Sequence, residues 1–149
     1  MTLSLFLHIL GVVIWVGGMF FAYMALRPVA ASVLEPPLRL TLWAGVFDKF
    51  FPWVWASVVL ILLSGLYMLV LLGAATPLYA YAMLALGVVM MLIFGHVYFS
   101  PYKKLKRAVA AQDWKAGGAA LGLIRMLIGI NLSIGLATIA VVFLGRALG

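Results

Sequence analysis

A chain of 149 residues that is 68% hydrophobic and 9% charged, with a mean hydropathy of +1.27, carries more apolar surface than a water-soluble domain of this size can cover. Its formal net charge is +7, but the basic residues fall between apolar runs, so they read as topology signals facing anionic lipid and not as a nucleic-acid surface. It contains no cysteine, which excludes disulfides, thiolate metal sites, iron–sulfur clusters and c-type haem attachment.

The first stretch, Leu3 to Pro28, places 24 residues before Arg27 without one Asp, Glu, Lys or Arg. At about 1.5 Å per residue that crosses a hydrocarbon core of roughly 30 Å. Arg27-Pro28 is expected to close it. No basic residue precedes the apolar run, and the run is too long for a signal peptide, so it reads as a retained span. Three further apolar runs follow, giving spans at about 3–26, 52–73, 78–100 and 123–145. The expected fold is all-α, a single transmembrane domain over 1–149 built as an integral membrane four-helix bundle.

The connections carry the charge. Arg27, Arg39 and Lys49 lie in the first, and Lys103, Lys104, Lys106, Arg107 and Lys115 in the third. The second, Ala74 to Pro77, is short and uncharged, and the C-terminal tail holds only Arg146. The excess of basic residues on one side predicts that both termini are non-cytoplasmic. Within the first connection, Leu38, Leu42, Val46 and Phe50 recur at near-helical spacing, which predicts a short amphipathic helix lying in the interface. The aromatic cluster that follows, Phe50, Phe51, Trp53 and Trp55, reads as an interfacial belt. Lys103 to Arg107 should reach lipid headgroups. Gly11 with Gly18, and Gly122 with Gly129, are spaced by seven residues and read as close-packing faces.

Few residues could carry chemistry. Membrane histidines are expensive, so His8 and His96 are the first candidates, as haem or metal ligands. His8 lies near the start of its span and His96 near the end of one running the same way. The two should therefore be separated by roughly 20 Å along the membrane normal, too far to share one iron within a protomer. By depth, His8 is expected level with Tyr67, Met68, Met83 and Thr138. His96 is expected level with Tyr23, Met24, Ser57, Arg125 and Met126. Histidine with Met68 or Met83 suits haem iron or soft Cu(I), although methionine also fills ordinary apolar cores. Arg27 and Arg125, at the ends of spans one and four, could clamp carboxylates such as porphyrin propionates through bidentate pairs, or simply reach the headgroups. Asn131 should face the bundle interior. There is no pair of membrane carboxylates, nucleophile motif or phosphate loop.

Leu7-His8, Trp15 to Phe21 (WVGGMFF) and Leu26-Arg27-Pro28 together resemble the first helix of small bacterial membrane proteins grouped with copper resistance protein D. His96-Val97-Tyr98 followed by a basic run resembles the third helix of the related J-type protoporphyrinogen oxidases. Arg125 with Ile130-Asn131-Leu132 resembles the fourth. The resemblance implies a four-helix, multi-pass protein of the bacterial inner membrane, often with b-type haem, whose relatives either oxidise protoporphyrinogen or are linked to copper uptake, and His8 and His96 match the family's two helix-borne histidines. A haem b protein with a redox role is the first expectation, with Arg27, Arg125 and Asn131 as further cofactor-binding candidates. The oxidases carry a lysine well before the histidine of span three, whereas 78–95 holds none. Copper handling through His8, Met68, Met83 and His96 is the alternative, and a cofactor-free accessory subunit the third reading. Lipid is the expected partner, with a homo-oligomer or a larger membrane complex left open.

Overall fold

A computed structural model describes residues 1–149. It is entirely helical apart from short turns: α1 (Thr2–Phe21), a π-helical turn (Ala22–Leu26), α2 (Arg27–Val33), α3 (Pro36–Leu72), a 3-10 turn (Gly73–Ala75), α4 (Leu78–Phe99), α5 (Pro101–Ala110) and α6 (Trp114–Leu148). Four helical runs are long and apolar enough to cross a membrane. The chain is thus a four-helix integral membrane bundle.

The helix ends depart from the sequence expectation in three places, each for a local reason. Arg27-Pro28 does not close the first helix, which runs on to Val33. Proline has no N–H to offer and crowds the carbonyl four residues back. The backbone widens ahead of it, with Arg27 N–H bonding to Ala22 O five residues away, and the helix passes through as a π turn. The amphipathic segment after Pro36 is helical, but it runs without a break into the second span, so one 37-residue helix replaces a separate interfacial one. Its buried face is Leu40, Trp43, Ala44, Phe47 and Phe51, while Leu38 of the expected stripe is exposed. Finally, α6 starts at Trp114, inside the expected third connection. There the Asp113 side chain accepts from Ala116 N–H at 3.1 Å, as an N-cap. Ser100-Pro101 breaks α4 from α5, whose Tyr102, Leu105 and Ala108 face inward while Lys103, Lys104, Lys106 and Arg107 face out.

Packing is organised as two antiparallel pairs, α1 on α3 and α4 on α6, with α5 laid across α6 and α3. Gly11 and Gly18 both face α3: a Cβ at Gly11 would stand 3.1 Å from Ser57 O, and the Phe50 ring sits on Gly18. Gly129 faces Tyr23, while Gly122 faces open space. A Cβ at Gly135 of α6 would stand 3.1 Å from both Val16 of α1 and Met90 of α4, which brings these three helices to one level.

The core lies at the end with the basic connections. Phe51 stacks on Phe47 with centroids 4.8 Å apart and meets Phe94 and Tyr102 edge-on at 5.3 and 4.8 Å. Of the expected aromatic belt, only Trp53 points outward, at 63% exposure. Phe51 is core, and Trp55 leans edge-on against Phe94 and Tyr98. Asp48 of α3 accepts from the Tyr102 hydroxyl and pairs with Lys106 at 3.2 Å, tying α5 down.

Candidate functional site

The most constrained polar side chain in the first span is His8. Its Nδ1 lies 3.2 Å from Ile61 O and 3.2 Å from Ser64 Oγ, both on α3. A carbonyl oxygen can only accept, so Nδ1 carries the proton and donates. Ser64 directs its own proton to Leu60 O, which leaves its oxygen free to accept as well. In the neutral ring Nε2 is then the nitrogen with the lone pair. Nε2 makes no hydrogen bond within the chain and is not fully buried, since Asn131 Oδ1 is the one fully buried side-chain polar atom without a partner. A histidine whose Nδ1–H is held by a carbonyl, with Nε2 free, is oriented as metal-ligating histidines are.

The level of His8 differs from the depth estimate by about one helical turn. It meets Ile61, Ser64 and Gly65 and not Tyr67, because the seating of Gly11 on Ser57 and Ile61 sets the register of α1 on α3. Met68 follows Ser64 by four residues, one turn further along the same face of α3. Met83 and Thr138 belong to the other helix pair, Met83 on α4 and Thr138 on α6.

His96 is exposed on α4, whose inward face is Ala80, Met90, Phe94 and Val97. With Val16 and Met90 at one level, counting eight residues back to His8 and six forward to His96 separates the two histidines by roughly 20 Å along the helix axes. No group of three or more His, Cys, Asp or Glu side chains converges anywhere. The available donors therefore fit a soft ion of low coordination number, such as Cu(I) at one imidazole and one thioether, and do not make a closed tetrahedral cage.

Arg27 and Arg125 do come together. With Arg39 they line a cavity of about 320 Å³ between the π turn, the start of α3 and the start of α6. Tyr23, Trp43 and Trp114 form part of its wall. None of its lining residues is histidine or methionine. The arginines could meet propionates there, but the cavity supplies neither of the axial ligands that b-type haem usually takes, so the residues present do not fit a haem at this place. Asn131 is buried as expected: Nδ2 donates to Met90 O at 3.2 Å, joining α6 to α4, while Oδ1 is left unpaired.

Sequence reasoning missed Ser64 and Gly65, which seat His8, and the part played by Arg39, which it placed only among the basic residues of the first connection. A small-polar pair in mid-span was the available signal for the first two. Nothing local pointed to the third.

The family model described as copper resistance protein D matches residues 44–144, two thirds of the chain. This chain belongs to the copper resistance protein D family. The matched region runs from the first third of α3 to near the end of α6 and includes Met68, Met83, His96, Arg125 and Asn131. It does not include His8, Arg27 or Arg39, so what is said of those residues rests on geometry. No curated protein and no solved structure matches the chain.

Proposed function

We propose that this member of the copper resistance protein D family handles copper as cargo in the bacterial inner membrane, with His8 as its imidazole ligand. The observation that carries the reading is the double anchoring of His8 Nδ1 by Ile61 O and Ser64 Oγ, which leaves Nε2 as the free nitrogen. A neutral imidazole held in this way, with the thioether of Met68 one turn further along α3 than Ser64, is the donor set we assign to Cu(I). The four-helix membrane architecture and the family membership support the same reading. Haem b, with a redox role, is the competing reading. It has three arginines in its favour at one end of the bundle, and no histidine beside them.

Elemental analysis and the visible spectrum of the purified protein separate the two. Loaded with Cu(I) under reducing conditions, the wild type should retain copper and show no Soret band. His8→Ala should lose the bound copper, and His96→Ala should keep it. A Soret band in the wild type that disappears in His96→Ala, or copper retained in full by His8→Ala, overturns the assignment.

A further inference from the structure

The cavity between the π turn, α3 and α6 is unusual for its charge. Three arginines line it, and none is paired with a carboxylate. The chain has only three acidic residues. Asp48 is taken by Lys106 and Tyr102, Asp113 caps α6, and Glu35 makes no ion pair.

The protein itself uses little of the donor capacity of these arginines. Arg27 donates only through Nε, to Tyr23 O at 3.1 Å, and its guanidinium lies 4.4 Å over the Tyr23 ring. Arg39 turns Nε and Nη2 to the carbonyls of Leu34 and Ala31, closing the end of α2, and leaves Nη1 over. Arg125 makes no hydrogen bond or ion pair within the chain at all. Like charges held around one cavity repel, and a lower local dielectric strengthens the repulsion. Such a set is stable when an oxyanion sits among its members, because each guanidinium offers paired N–H donors that match phosphate geometry.

The rest of the wall selects what carries the oxyanion. Trp43 and Trp114 are large and apolar, suited to the glycerol and first acyl carbons of an amphiphile. The cavity opens between helices at the end that carries the basic connections, where anionic headgroups are drawn to basic residues.

We infer that this cavity is a binding site for the phosphate headgroup of an anionic phospholipid, held by Arg27, Arg39 and Arg125. It is independent of His8, which lies near the opposite end of the bundle.

The test uses the full chain purified in zwitterionic detergent, with thermal unfolding and native mass spectrometry as readouts. Phosphatidylglycerol should raise the unfolding temperature and appear as a retained adduct, while phosphatidylcholine should do neither. Arg125→Gln removes a side chain that makes no hydrogen bond or ion pair within the protein. It should weaken the phosphatidylglycerol effect at least tenfold, and Arg125→Lys should fall between the two. Arg146→Gln, away from the cavity, should behave as wild type. Equal stabilisation by inorganic phosphate alone would move the site to a soluble phosphate and overturn the lipid assignment. Equal response to phosphatidylcholine, or an unchanged response in Arg125→Gln, would overturn the site.

Discussion

The imidazole of His8 lies over the bare Cα of Gly65. A Cβ added there would stand 3.2 Å from His8 Cε1 and 3.5 Å from Nδ1. The contact links ligand position to backbone: α3 offers a carbonyl at Ile61, a hydroxyl at Ser64, and at Gly65 the space that lets the ring reach both. Gly65→Ala asks the ring to give by a few tenths of an ångström and should bind copper close to normally. Gly65→Leu should push the ring off Ile61 O and lower copper affinity by about ten- to a hundredfold, as losing a group that orients a ligand does. Copper titration with a competing Cu(I) chelator measures this. Unchanged affinity in Gly65→Leu would mean that the seat of His8 has no bearing on binding.

Helix α1 approaches α3 closely only where side chains allow it. At Gly11 a Cβ would meet Ile61 Cγ1 at 2.9 Å and the backbone oxygen of Ser57 at 3.1 Å, whereas Gly17 faces open space. Gly11→Leu should destabilise the bundle by about 1–3 kcal/mol, the usual cost of overpacking. Gly17→Leu should stay within about 0.5 kcal/mol. Unfolding in mixed micelles distinguishes them, and equal effects would refute the register described.

Asn131 joins α6 to α4 through one hydrogen bond and leaves Oδ1 unpaired. Removing both atoms together should be nearly neutral, since an interhelical bond in membranes averages about 0.6 kcal/mol and the orphaned acceptor goes with it. Asn131→Leu is therefore expected within about 1 kcal/mol of wild type. Asn131→Asp should cost several times more, because it places a carboxylate among apolar side chains. A loss above about 3 kcal/mol in Asn131→Leu would show that Oδ1 has a partner in the working protein.

The orientation of the bundle is a further prediction. The first and third connections hold most of the basic residues, which predicts that they lie in the cytoplasm and both termini outside. The chain has no cysteine, so single substitutions report cleanly. In whole cells an impermeant thiol reagent should label Ala75→Cys and spare Lys104→Cys. The reverse pattern would invert the topology.

Some of this molecule was legible before any coordinate. Transfer of a long uncharged run into lipid is a local property of that run, so composition and spacing alone determined four spans, their order, and the placing of Arg27 and Arg125 at one end with His8 near the other. Gly11 and Gly18 could be read as a packing face for the same reason: their spacing is that of a helix face. Rotation about each helix axis and the meeting of distant segments are different in kind. They depend on which surfaces interlock, and a uniformly apolar helix carries little local signal of its inward side. Only the tertiary structure decided that His8 turns to Ser64 and Gly65, that His96 faces out, and that Phe51 is core and not belt. Arg39 joins Arg27 and Arg125 because the π turn carries the first helix past Pro28 and the chain then doubles back into α3. That convergence is fixed by the seating of Gly11 on Ser57 and of Gly135 against Val16 and Met90, contacts between residues far apart in the chain.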